Sequence, residues 1–261
     1  MRAFLNFLVV VFLIFSVAPV AADNILLLGD GDAETQVQPA LEAAGHTVTF
    51  GGIYYDWDGV TPAVGNFDVV VFLDGYDYGY PLQPAAASAL QSFVAGGCGL
   101  VMTEWTAYDV CSGYKGAIVG DLLPVTMPDC GDYGSVDTWT VDVPGHPLVA
   151  GLPASWSETN EWSNVTPKVG TSVVVSGATG NPLVAYSDAS GGTVVFLNHD
   201  TTYSVSTMSP ESLQLIVNAA EYASCAALVA VDVPTLRGWG ITALILGLAA
   251  VALWSIRRAG L

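Results

Sequence analysis

Three runs in the first half of the chain are apolar along nearly their whole length: Asn24 to Gly29, Asp68 to Leu73 and Gly99 to Glu104. A fourth, Thr47 to Phe50, is rich in β-branched residues. Apolar runs this short, the first of them ending at a Gly-Asp turn, read as strands buried on both faces. Between them, Gln36 to Ala44 and Gln83 to Ala95 carry apolar residues at helical spacing. Pro84 suits the first turn of the second helix, and Gly96-Gly97 end it. Strands alternating with helices predict an α/β fold, a mostly parallel sheet covered on each side. The second half is less regular. Asp137 to Val143 alternates, as a strand at a solvated edge does, and Ser172 to Ser176 and Leu183 to Tyr186 read as further strands. Thr193 to Asn198 is again apolar on both faces. Ser209 to Ser224 is a closing helix, with Ser209 to cap it, Pro210 at its first position and Glu211 at its positive end.

Two longer apolar runs do not belong to this pattern. After Arg2, Phe7 to Val17 is apolar and leads to Pro19-Val20-Ala21-Ala22. That is the layout of a secretory signal peptide, residues 1–22, cut after Ala22. At the other end Ile241 to Ile256 is apolar, about sixteen residues or roughly 24 Å of helix. Trp239 and Trp254 lie near its ends and Arg257-Arg258 follow, so the span is expected to hold residues 241–261 in a membrane with the body outside. A domain over residues 23–226 and a linker over 227–240 remain.

Charge changes the picture of that domain. From Asp23 to Asp232 the chain has two basic residues, Lys115 and Lys168, against all twenty-four acidic ones, a formal charge of −22. Nucleic acid and anionic lipid are poor partners for such a surface. Alternating acids at Asp30-Gly31-Asp32-Ala33-Glu34 present hard oxygen ligands, and calcium is the one cofactor this spacing admits, at Asp30 and Asp32. The four cysteines, Cys98, Cys111, Cys130 and Cys225, favour disulfides in an exported chain and allow three pairings.

Two resemblances add to this reading. Val233-Pro234-Thr235-Leu236, then Trp239-Gly240, an apolar span and Arg257-Arg258, closely resemble the IPTLxxWG-type C-terminal sorting signal of Gram-negative bacteria, a relative of the PEP-CTERM signals. The resemblance implies an exosortase-like sorting protease as partner and a route from the periplasmic face of the inner membrane to the cell surface or matrix. Separately, the strand at Asp68 to Leu73, Phe93-Val94-Ala95-Gly96-Gly97, Gly99-Leu100-Val101, Gly145-His146-Pro147 with Gly151-Leu152-Pro153, Gly191-Gly192-Thr193-Val194-Val195-Phe196 with Asn198-His199-Asp200, and Asn218-Ala219-Ala220-Glu221-Tyr222 resemble, in that order, the class I glutamine amidotransferase-like fold, in its ThuA-like branch. This implies a flavodoxin-like three-layer sandwich. On such a sheet Cys98 and Cys225 share the rim of strand starts and helix ends, while Cys111 and Cys130 share the insertion above the fourth strand, which implies the pairs Cys98–Cys225 and Cys111–Cys130.

Ligands of open α/β sheets sit beyond the carboxyl ends of the strands. The turn there after the fourth strand reads Thr103-Glu104-Trp105-Thr106, with no Cys or Ser, so nucleophilic acyl transfer is not expected. His199 matches the conserved His of the resembled fold, and with Glu104 it would form a general base, or with Asp200 bind a metal. His46 and His146 read as structural. Asp74-Gly75-Tyr76-Asp77-Tyr78-Gly79-Tyr80 places rings and carboxylates on the same rim, a composition suited to sugar faces as well as to loop packing. The sequence therefore predicts a surface-sorted, non-catalytic domain binding an envelope, carbohydrate or matrix ligand. The alternative is a carbohydrate-active or metal-assisted ThuA-like enzyme using Glu104, His199 and Asp200.

Overall fold

The computed structural model describes residues 22–131 and 133–225. Most of the expected signal peptide, the sorting motif from Val233 to Gly240 and the expected membrane helix lie outside the described residues. Among the described residues no helix is long and apolar enough to cross a membrane.

In chain order the elements are β1 (Asn24–Gly29), α1 (Glu34–Ala43), β2 (Thr47–Ile53), β3 (Val69–Phe72), α2 (Pro84–Ala95), β4 (Gly99–Thr103), α3 (Trp105–Cys111), α4 (Gly116–Leu122), β5 (Val125–Thr126), β6 (Tyr133–Val141), β7 (Ser155–Ser163), β8 (Thr166–Pro167), β9 (Ser172–Ser176), β10 (Pro182–Ser187), β11 (Val194–Leu197) and α5 (Pro210–Ala223). β5 and β8 form a two-stranded pair, and the other nine strands form one sheet in the order β2-β1-β3-β4-β11-β10-β9-β6-β7. The first five are parallel, in the strand order of flavodoxin-like sheets.

Period-two alternation with both faces covered explains why β1, β3, β4 and β11 are apolar throughout, while β2, at the edge, stays partly exposed. Ile25, Leu27, Val69, Val71, Val101, Val195 and Leu197 face α1 and α5, packing on Val37, Leu41, Leu215 and Ile216. Leu26, Leu28, Val70, Phe72, Leu100, Met102, Val194 and Phe196 face α2, packing on Leu90, Phe93 and Val94. The Ser209 hydroxyl accepts the Ser212 N–H (3.0 Å) and caps α5 as expected.

Five of the nine strands form the expected parallel part of the sheet, and a second part departs from it. β10, β9, β6 and β7 extend it antiparallel. The physical reason is loop length: a parallel crossover needs a dozen or more residues, and the links from β9 to β10 and from β10 to β11 are shorter. The strand expected at a solvated edge, β6, lies inside the sheet, because β7 pairs along its outer side.

Both disulfides have the implied pairing, Cys98–Cys225 and Cys111–Cys130. The first joins the start of β4 to the end of α5, where the two elements touch closely. A Cβ on Gly99 would lie 2.0 Å from the Ala223 carbonyl oxygen. Gly99→Ala is expected to destabilise the domain by about 1–3 kcal/mol through overpacking, readable as a lower urea midpoint at unchanged slope. Asp23, at the start of β1, and Cys225 leave the body on this same amino-end rim. Ser224 Oγ donates to Asp23 Oδ1 (2.6 Å), and the Cys225 N–H donates to the Asp68 carbonyl (3.0 Å).

Candidate functional site

The opposite rim is built from residues just past β1, β3, β4 and β11: Asp30, Asp74, Glu104, Asn198, His199 and Asp200, all fully buried. Four parallel strands ending together gather these carboxylates, and an acidic rim under a lid of side chains must find donors or protons.

Lys115, in the loop between α3 and α4, supplies the cation. Its Nζ lies 3.1 Å from Asp74 Oδ2, against Asp109 Oδ2, and 3.9 Å from the centroid of the Tyr54 ring. It also donates to the Tyr80 carbonyl (2.9 Å). Burial pushes Asp74 up to about 8 despite the opposing pull of Lys115. Burial also raises Asp109, again against Lys115. Two carboxylates and one ammonium then reach neutrality with one proton retained, which is how a buried group of three avoids a net charge.

This cluster holds the loop from Asp74 to Tyr80 along its length. The Tyr76 N–H donates to Asp30 Oδ2 (3.2 Å), Tyr54 Oη donates to the Asp77 carbonyl (2.6 Å), and the Gly79 N–H donates to Asp109 (2.9 Å to Oδ2). The Thr103 hydroxyl fixes both the N–H and the carbonyl of Asp74 (2.8 and 3.0 Å). The loop's rings consequently stand in fixed places. Tyr78 stacks on Trp105 (centroids 4.4 Å), and Tyr203 meets both rings edge-on (5.0 and 5.1 Å). Tyr80 lies against Tyr55 (4.6 Å). Tyr133, at the tip of β6, approaches Trp105 (6.4 Å). Tyr76, Tyr80, Tyr133 and Tyr203 are each about half exposed while Trp105 is buried beneath, so the outer surface of this rim is tyrosine.

The residues singled out for chemistry are buried and held by hydrogen bonds within the fold. Glu104 accepts a hydrogen bond from the Ser163 hydroxyl, and His199 Nδ1 faces the Asp200 carbonyl (3.1 Å). No hydrogen bond joins Glu104 to His199, and both are fully buried. His199 lies instead beside Glu158 of β7. Burial pushes Glu158 up, but the nearby His199 and hydrogen bonds from Ser212, Ser209 and Asn160 together outweigh this and leave it below the usual carboxylate value. Asp200 is a loop anchor, taking Trp105 Nε1 (3.3 Å), the Tyr203 N–H (3.0 Å) and the N–H and hydroxyl of Ser204. Asp30 is one too. Its carboxylate accepts the N–H groups of Asp32, Ala33 and Tyr76 and the Thr201 hydroxyl. Asp30, an expected calcium ligand, and Asp200, the expected metal ligand, thus spend carboxylate lone pairs on protein donors, while Asp32 gives its N–H to Asp30. Among the described residues no group of three or more His, Cys, Asp or Glu gathers to hold a metal ion. His46 lies between Asp23 (3.3 Å) and Glu221 (3.5 Å), and His146 accepts the Leu148 N–H (3.2 Å).

Sequence reasoning missed Lys115, Asp109, Ser163, Tyr133 and Tyr203. Lys115 alone carried a signal: one of two lysines in so acidic a segment is expected to be held by carboxylates.

Burial raises Glu104 well above the usual carboxylate value, with the Ser163 hydrogen bond opposing. Between the ordinary range and these raised values the folded chain keeps protons on Glu104 and Asp74 that the unfolded chain has released. Stability therefore falls as pH rises from about 4 through about 8. The melting temperature is expected to be higher at pH 5 than at pH 8. Glu104→Gln, which has the shape of the protonated acid, is expected to flatten that slope and melt no lower than the parent at pH 8. A parent melting temperature that climbs from pH 5 to pH 8 contradicts both expectations.

No protein-family model matches the chain, and no curated protein does. Solved structures share its fold. A cytoplasmic protein from Salmonella typhimurium superposes with a TM-score of 0.60 at 16% identity over 77% of this chain and 99% of that one. A ThuA-like protein from Bacteroides uniformis does so at 0.55 and 16%, over 75% and 88%. The β-galactosidase of Bacillus circulans matches at 0.53 and 13%, over 76% of this chain but 30% of its own. The likeness to ThuA-like proteins is one of fold, as the order of the sequence motifs implies.

Proposed function

We propose that the chain is an exported, surface-displayed protein whose amidotransferase-like domain acts by binding, with the tyrosine rim as its contact surface. One observation carries this reading: the turn after β4, where this fold would set a nucleophile, holds a buried Glu104 and a Trp105 that props up the tyrosines. A group that must attack or transfer a proton has to reach its substrate, and Glu104 and His199 lie beneath the rings. Two disulfides fit an oxidising compartment. Asp23 and Cys225 leave from the amino-end rim, so a body tethered by a C-terminal membrane helix would turn its tyrosines away from the bilayer. In this reading the signal peptide is cut after Ala22, and an exosortase-like protease removes the span after the motif Val233 to Gly240.

Fractionation and mass spectrometry of the mature protein test it. The expected surface form begins at Asp23, lacks residues 241–261 and has no free thiol. A cytosolic chain with both ends intact and its cysteines reduced overturns the proposal.

A further inference from the structure

The ligand class of the tyrosine rim can be taken further, on the premise that this rim is the binding surface. The domain already holds one cation, and how it does so is instructive. Lys115 is gripped by a tyrosine face, two carboxylates and a carbonyl oxygen. Rings offer a negative face, carboxylates the counter-charge, and the two act on the same ammonium.

The same groups recur on the outside. Tyr55 and Tyr80 form a pair flanked by carboxylates. Asp77 Oδ2 accepts the Tyr55 hydroxyl (3.0 Å), and burial together with Asp77 and Asp56 pushes that phenol up to about 12. Across the rim Tyr203 borders Asp200 and Ser204, and the Ser204 hydroxyl accepts the N–H of Glu161 (3.4 Å). Nothing basic in the described body answers these acids. Lys115 is buried in the cluster below, and Lys168 gives its Nζ to the Gly120 carbonyl.

We infer that the rim captures a basic polypeptide segment, its lysine or arginine side chains seated on the faces of Tyr80 and Tyr203, with Asp56 and Asp77 supplying the counter-charge beside the Tyr55–Tyr80 pair. Charge complementarity selects this occupant. A neutral glycan could stack on the rings and give its hydroxyls to the carboxylates but would leave their charge uncompensated, and a polyanion would be repelled by a segment carrying −22. Exposed rings spaced along one rim suit an extended chain bearing several cations.

The test uses the purified full-length chain in detergent with three fluorescent probes of equal length: nona-arginine, nona-glutamate and a neutral β-glucan oligosaccharide. Nona-arginine is expected to bind at 150 mM salt and to weaken as salt rises, with no binding of nona-glutamate. Tyr80→Ala and Tyr203→Ala are each expected to weaken nona-arginine about three- to five-fold. Tyr203→Phe keeps the ring and is expected to retain affinity, which separates the effect from misfolding. Glu42→Gln with Asp188→Asn, on the amino-end rim, is expected to change affinity less than about two-fold. Two results overturn the inference. One is a loss in that remote double variant equal to the loss in the tyrosine variants, which means diffuse charge attraction. The other is binding of the oligosaccharide without nona-arginine, which makes the rim a sugar site. Neither result depends on where the cell sends the protein, so the export reading stands or falls separately.

Discussion

Lys115→Met is expected to destabilise the domain by about 3–5 kcal/mol at pH 7, because it breaks a buried charge cluster from one side. Lys115 is 3% exposed and its two carboxylate partners, Asp74 and Asp109, are 0% exposed. Methionine keeps the length of the stem and the contact with Tyr54, so the packing loss is small and the loss of charge dominates. Asp74 and Asp109 must then take up a second proton or stay ionised in a low dielectric. Since a domain's total stability is on the order of 5–15 kcal/mol, a loss of this size is a large fraction of it. The loss should shrink at pH 5, where protonating both carboxylates is easier. Adding Asp74→Asn and Asp109→Asn should recover most of the stability, since the triple variant has no unpaired charge to bury. Urea unfolding of the three proteins at the two pH values reads all of this. A Lys115→Met cost below about 1 kcal/mol would mean that water reaches the cluster and the burial argument fails. The same substitution frees the Tyr80 carbonyl, so the loop from Asp74 to Tyr80 should gain hydrogen-exchange rate before the sheet does.

The parallel half of the fold was legible because two-sided burial writes itself into composition. Val69 to Phe72 could not be anything exposed, and the helices between such strands announce themselves by spacing and by Pro84 and Ser209. The antiparallel wing was not legible in the same way. β7, Ser155–Ser163, reads Ser-Trp-Ser-Glu-Thr-Asn-Glu-Trp-Ser, and its buried residues include Asn160 and Ser163, which are held by hydrogen bonds that no apolar pattern records. At the site, residue type was readable and direction was not. Asp30 and Asp200 look like metal ligands because carboxylates with neighbouring acids look that way. What decides their role is that donors from the turn before α1, the loop after β3, the Trp105 indole of α3 and the loop after β11 all point at them. The tyrosines of the loop after β3 were visible in the sequence, whereas Tyr133 and Tyr203 join them only through tertiary folding.

The largest single effect is expected from Cys98→Ser with Cys225→Ser, about 5 kcal/mol, because the bridge closes a separation of 127 residues. By the same chain-entropy relation the Cys111–Cys130 bridge, across 19 residues, is worth about 3 kcal/mol. The difference in loop length understates the contrast. Cys98–Cys225 sits where α5 presses on β4 at Gly99, where the Cys225 N–H holds the Asp68 carbonyl, and where Ser224 binds Asp23. Releasing it frees the end of α5 and lets the start of β1 loosen with it. Cys111–Cys130 closes a surface insertion, and its loss should leave the five-stranded core intact. In thermal unfolding the Cys98/Cys225 variant should melt well below the Cys111/Cys130 variant, and hydrogen exchange should rise along α5 and β1 in the first but near α3 and α4 in the second. Equal melting temperatures for the two would show that the end of α5 is held by its packing alone. The close contact of α5 with β4 at Gly99 would then fix the amino-end rim without the bridge.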